Sequence, residues 1–324
     1  MRNGYFVISL DFELHWGIFD HTTILDYEEN LKNVELVIHR LLEMSERFAV
    51  KITFSTVGLL FAENKEQLRA FLPSELPSYA LNKFNPYRLI STIGENRKED
   101  PFHYARSIIK TIKVALIHEI GTHTFCHYYC AERGQTVDQF RQDLVSAIGI
   151  AKSMDIDIKS IVFPRNQVVK EYLEVCKELG ITNYRGTEKS RVYRPVSSEK
   201  NVLMSRIIRF LDSYVNITGS NTYDPKMLLM ENGMANIPSS RFLRPYNKSL
   251  HLLERYKLNR IKKAMRIAAI NNEVFHIWWH PHNFGKDMEP NFNNLEQIFM
   301  AYKKLNKVHR FESITMTNLS KKIT

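Results

Sequence analysis

Long hydrophobic runs are missing from this chain. No stretch approaches the roughly 18 consecutive apolar residues that a membrane helix needs, which excludes a helical span and leaves at most peripheral membrane contact. Cysteine is scarce: Cys126, Cys130 and Cys176 are an odd count in 324 residues, so a disulfide scaffold is not expected and reducing surroundings are. The first residues, Met1 to Asp11, meet an acidic side chain early and carry no small-residue cleavage site, so a cytoplasmic location is expected. Internal repeats, low-complexity tracts, an evident linker and nucleic-acid motifs are all lacking, which argues against a nucleic-acid partner. A single domain over 1–324 follows, with an irregular insertion at about 188–246 where Pro195, Pro225, Pro238 and Pro245 break the periodicity.

Positive charge is in excess. A formal net charge of +10 favours acidic partners such as phosphorylated headgroups, anionic saccharides or nucleotide-linked sugars. The densest basic segment runs from Arg255 through Lys257 and Arg260 to Arg266, with apolar residues at helical spacing, and reads as the solvated face of an outer helix.

Strand-like runs alternate with helix-patterned segments. Val7–Leu10, Lys51–Val57, Val114–Ile120, Lys159–Phe163 and Val274–Trp279 read as strands, with a short one at Asn183–Gly186. Helical patterns cover about Tyr27–Phe48, Glu63–Phe71, Val137–Met154, Lys170–Leu179, Lys248–Asn271 and Asn294–Leu305. That alternation implies an α/β fold with a parallel sheet. Polar residues fall at the strand ends, where such folds gather their sites: Asp11 and Glu13, His123, Arg165 and His280.

Glu119-Ile-Gly-Thr-His-Thr-Phe-Cys-His127 is the centre of this set. A helix beginning there would project His123 and His127 from one face about one turn apart, a spacing suited to a shared metal ion. Cys126 and Cys130 interleave with them, but four ligands in a stripe along one helix cannot close a tetrahedron, so the cysteines are expected to pack in the core. Asp11 and Glu13 end an apolar run on the same side of a strand, and buried carboxylates need compensation that a cation would supply.

Four segments, Ser9-Leu-Asp-Phe-Glu, Glu119 to His127, Phe163-Pro-Arg-Asn-Gln and Trp279-His-Pro-His-Asn-Phe-Gly, stand in the order found in polysaccharide deacetylases of the NodB-homology type, the fourth carbohydrate esterase family, and the chain resembles that family over most of its length. The resemblance implies a distorted, incomplete (β/α) TIM-like barrel. It implies Asp11 as general base, Glu13, His123 and His127 as metal ligands, Arg165 as the arginine that orients the base, and His280 as general acid with His282 competing. The family's neighbouring aspartate pair is here Asp-Phe-Glu, and the tyrosine-glycine continuation after the arginine is absent. His15, Trp16 and Trp279 are candidates to line a sugar site, and His118 and Glu119 to support the ligands from behind.

The resemblance thus implies a metal-dependent hydrolase removing N-acetyl groups from amino sugars of a surface polysaccharide or its lipid- or nucleotide-linked precursor. Zinc is the expected metal, with cobalt, nickel or iron also compatible with imidazole and carboxylate. Two alternatives stand beside it: a deformylase or metal-free cyclic-amide hydrolase of the same fold, and a catalytically silent saccharide-binding protein.

Overall fold

The computed structural model describes residues 3–194, 203–228 and 233–323; Pro195 lies outside them. The chain opens with β1 (Tyr5–Phe12), whose residues are nearly all buried. α1 (Ile24–Lys32) and α2 (Val34–Phe48) follow, divided at Asn33 where a single helix was expected. Then come β2 (Thr53–Thr56), α3 (Lys65–Ala70), α4 (Arg106–Val114) and β3 (Glu119–Thr122). The next units are α5 (Val137–Lys152), β4 (Ser160–Ile161), α6 (Lys170–Glu178) and β5 (Asn183–Tyr184). α7 (Leu203–Leu211), β6 (Ala235–Asn236) and β7 (Arg241–Phe242) occupy the segment expected to be irregular. α8 (Glu254–Asn271), β8 (Val274–Trp279), α9 (Met288–His309), β9 (Glu312–Ser313) and α10 (Met316–Ile323) complete the chain.

The strands form one sheet in the order β6-β5-β4-β3-β2-β1-β8-β7, with β9 beside the first residues of β1. Every strand pairing is parallel. The end strands β6 and β7 are consecutive in the chain, and residues 237–240 bridge the seam: Ser239 N–H donates to Gly186 beyond β5, and Ser240 N–H to His276 in β8. The sheet therefore closes on itself through a linker instead of a strand pair, as an incomplete (β/α) barrel.

β1 sits near the middle of this order and its two faces differ, as the two-residue period requires. Phe6, Ile8, Leu10 and Phe12 belong to the main hydrophobic core with residues of α2, α5, α8 and α9. Val7 packs instead in a smaller cluster with Met316 and Leu319 of α10, which fills one end of the barrel. Ser9 and Asp11 follow Val7 on that inner face toward the other end. Glu119 marks the filled end: its carboxylate accepts hydrogen bonds from Thr53, Ser160 and Thr317. His118 contacts Ser45 and Ile52 there as well. Neither residue stands behind the histidines at the opposite end, so the supporting role expected of them does not hold.

Two further expectations change. The third strand starts at Glu119, not Val114, because Val114 ends α4 and Leu116 lies exposed in the connection that follows. α8 is not simply a solvated face: Lys257 is buried against Glu254, and Arg260 against Asp212.

The loop after β8 is pinned to α1 and its neighbour. Asn30 Nδ2 donates to the His282 carbonyl at 2.9 Å, and Asn33 Nδ2 donates to the Gly285 carbonyl at 2.9 Å. A Cβ on Gly285 would lie 2.2 Å from the Asn30 carbonyl oxygen. Overpacking of this kind costs about 1–3 kcal/mol. Gly285→Ala is expected to lower the unfolding free energy by that amount in chemical denaturation, with the denaturant slope unchanged.

Candidate metal and hydrolytic centre

Four polar residues occupy the same place in four strands: Glu13, His123, Arg185 and His280 are each the first residue beyond the last of β1, β3, β5 and β8. The parallel sheet carries them to one end of the barrel, where Glu13, His123 and His280 line a cavity of about 350 Å³ together with Asp11 and His127, and Arg185 lies buried beneath it.

Glu13 is at the centre. Its Oε2 lies 3.3 Å from His123 Nε2 and 3.2 Å from His127 Nε2, and its Oε1 lies 3.4 Å from His280 Nε2. Burial alone would raise the Glu13 pKa, but His280, His123 and His127 outweigh it and hold the carboxyl well below its usual range. His123 Nδ1 is 2.8 Å from the Val162 carbonyl, which can only accept, so Nδ1 carries a proton. In that tautomer a neutral ring would offer its Nε2 lone pair to a cation, and a cation shared with the Glu13 carboxylate would join the two acceptors by coordination. Glu13, His123 and His127 offer ligand atoms within 4.8 Å of one another, so a divalent ion fits the residues present.

The expected helix across His123 and His127 does not form. Thr124 and His127 have φ of 65° and 63°, so a tight loop turns both rings inward. α5 fastens that loop: the buried Asp143 carboxylate accepts the N–H groups of Phe125 at 2.7 Å and Cys126 at 3.1 Å. Burial pushes the Asp143 carboxyl up to about 6 against the pull of those donors. Cys126, Cys130 and Cys176 are free and buried, as expected of packing residues.

Asp11 is gripped by Arg185, not by Arg165. Arg185 Nη1 and Nη2 donate to the two carboxylate oxygens at 2.6 and 2.7 Å, and the guanidinium also donates to Ser9 Oγ and Asn166 Oδ1. Its carbon lies 4.1 Å over the Trp278 ring. Burial would raise the Asp11 pKa, but Arg185 foremost, then His123 and His280, lower it. Arg165 also lines the cavity but takes a different course: it and Asn166 both have positive φ, 54° and 53°, and its side chain points away from Asp11. There it pairs with Asp20 and Glu132 and lies 4.2 Å over Tyr129. Asn166, its neighbour, is the residue of that loop which reaches Arg185.

His280 Nε2 stands 3.8 Å from Asp11 Oδ2, and its side chain remains partly exposed to the cavity. His282 stacks beside it, ring centroids 5.1 Å apart, but is buried; that burial first, then His280, pulls its pKa down to about 3. Glu13, His280 and His282 form a second group able to hold a metal ion. The aromatic candidates change places. Trp279 is fully buried and stacks on Phe284, whereas Trp278 lines the cavity. His15 and Trp16 turn into the core, where His15 Nδ1 meets His103 Nε2 at 2.9 Å and Trp16 Nε1 donates to the His103 carbonyl. Arg185 was overlooked, although it follows the short run Asn183-Tyr184 in the same strand-end position as the other site residues.

No protein-family model matches this chain, and no curated protein does. Solved structures do. A protein from Mycobacterium smegmatis assigned as a polysaccharide deacetylase superposes with a TM-score of 0.63 at 12% identity, covering 99% of this chain and 90% of its own. One from Pseudomonas aeruginosa PAO1, also assigned as a polysaccharide deacetylase, gives 0.55 at 11% identity, with 98% and 89% covered. Puue allantoinase gives 0.55 at 10% identity, with 98% and 88% covered. The chain therefore has the polysaccharide-deacetylase (NodB-homology) fold. Among the described residues no helix is long and apolar enough to cross a membrane.

Arg185→Met strands the buried Asp11 carboxylate and is expected to cost about 3–5 kcal/mol by chemical denaturation, whereas Arg165→Met, partly exposed, costs clearly less. In metal-free protein, the lowered Glu13 pKa stabilises the fold fully above the unfolded value of about 4.3, and that contribution is lost as pH falls toward the native value. Glu13→Gln should flatten this acid limb when stability is followed between about pH 5 and pH 3.

Proposed function

We propose that this protein is a metal-dependent amide hydrolase that removes N-acetyl groups from amino sugars of a surface polysaccharide or of its precursor. The observation that carries the reading is the Glu13–His123–His127 convergence beside an arginine-held Asp11 and a half-open His280, in the fold of the deacetylases. A divalent ion held by Glu13, His123 and His127, with zinc the first candidate, would supply Lewis acidity toward the amide carbonyl and toward water.

Asp11 is the general base in this reading. Arg185 fixes its plane and keeps it ionised, so that it is ready to accept a proton. His280, facing both carboxylates from the rim of the cavity, is the general acid that delivers a proton to the departing amine. His282 packs behind it; its burial favours a neutral ring and suits it to positioning His280. Trp278 and Phe242 line the cavity and offer apolar faces to a sugar ring. A cytoplasmic setting belongs to this reading, in keeping with three buried cysteines that form no disulfide.

The likeness to an allantoinase favours one second reading, a cyclic-amide hydrolase on the same scaffold. Acetate release from a panel of N-acetylated amino sugars, measured with and without a chelator, separates the two. Asp11→Asn is expected to lower turnover by about 10²-fold or more while sugar affinity stays within a few-fold, since general bases contribute on that scale. Metal-independent opening of a cyclic amide, with no acetate from any sugar, would move the assignment to the second reading.

A further inference from the structure

A second cavity, about 650 Å³, adjoins the hydrolytic one, and Arg165, Asn166, Phe242, Trp278 and His280 line both. Its wall carries seven lysine and arginine side chains against two carboxylates, Asp20 and Glu188. Asp20 is already paired with Arg165. Asp212, behind the same wall, is shared by Arg241 and Arg260. Among the described residues Lys83, Arg194, Arg206 and Arg244 have no carboxylate partner in hand.

Arg244 is the most constrained of these. Its Nε donates to Ser213 Oγ at 2.7 Å, and its guanidinium lies 5.3 Å over Phe210 and 5.9 Å over Phe242. Burial lowers its pKa, and the charge of Arg209 lowers it further. Arg209 is lowered by burial and by Arg206 in turn. Three guanidiniums line the cavity wall from α7 and the strand end after β7, with the charge of Arg206 acting on Arg209 and that of Arg209 on Arg244, and an anion would stabilise them there.

We propose that this cavity is the phosphate subsite of the same active centre: the amino sugar presented to the metal-proximal pocket carries a phosphoryl or pyrophosphoryl group, which docks on Arg206, Arg209 and Arg244. This rests on the hydrolase reading for what happens to the sugar, but not for the anion site itself. The phosphate could be joined to a nucleoside or to a lipid. α7 bears on the second source, since it exposes Leu203, Met204, Ile207 and Leu211 beside its arginines.

The test is calorimetric binding of inorganic pyrophosphate to the full chain, Arg206→Ala/Arg244→Ala and His123→Ala. Losing two charge-assisted partners is expected to weaken binding by about tenfold or more, while His123→Ala retains wild-type affinity. Equal affinity in the arginine variant, or binding lost with His123, would overturn the proposal; the latter would place the anion at a metal ion. Arg244→Lys, which keeps the charge, should fall between and controls for misfolding. A nucleotide-linked and a prenyl-phosphate-linked N-acetyl amino sugar, the latter in neutral phosphatidylcholine vesicles, are then compared with the free sugar. Tighter binding of either supports the subsite and names its source, and no gain for both contradicts it. Absent acetate release with pyrophosphate binding intact would fault the hydrolase reading alone.

Discussion

Two carboxylates lie at the inner mouth of the barrel, Asp11 and Glu13, each about 3% exposed, and the surroundings must offset their charge. They are answered in different ways. Asp11 receives a guanidinium in bidentate contact, a satisfied ion pair that needs nothing more. Glu13 receives only imidazoles, at distances slightly beyond a good hydrogen bond. His127 Nδ1 is also buried without a partner. The first carboxylate is thus closed by the protein, and the second stands among groups that could hold a cation.

The supports of the site follow from that difference. The loop carrying both histidines takes positive φ at two non-glycine residues, an arrangement that costs energy and persists only where other contacts impose it. Asp143, reaching from α5 to two consecutive N–H groups, provides one such contact. Below Asp11, Ser9 Oγ accepts from Arg185 and stands 2.8 Å from His276 Nε2, so the ion pair is fixed from the core side as well. Such support suits a centre that has to hold its geometry while protons move.

Much of this was legible in the sequence because parallel α/β folds place strand-end residues together. Asp11, Glu13, His123 and His280 each end or follow a recognisable apolar run. Arg185 follows a two-residue strand within the expected Asn183–Gly186 run, but the family resemblance gives the pairing with Asp11 to Arg165, and nothing local to Arg185 signals its partner. The direction of Arg165 depends on positive φ values that no residue type announces at that position. The same limit applies to His123 and His127, whose convergence looked helical and is made by a loop. Trp278 and Trp279 point in opposite directions, as the two-residue period of a strand requires, but which of them faces the cavity depends on strand register and curl. The short strands β6 and β7 close the barrel from a region with little pattern, where pairing to neighbours replaces local propensity.

The proposed hydrolysis depends on Glu13, His123 and His127 binding one divalent ion. The most direct measurement is cobalt or zinc stoichiometry after equilibrium dialysis of untagged protein, compared with Glu13→Gln and His123→Ala of verified fold. One ion per chain in the wild type, lost in both variants, is the predicted result. Wild-type protein that takes up no ion, or variants that bind as well as it does, would contradict the account.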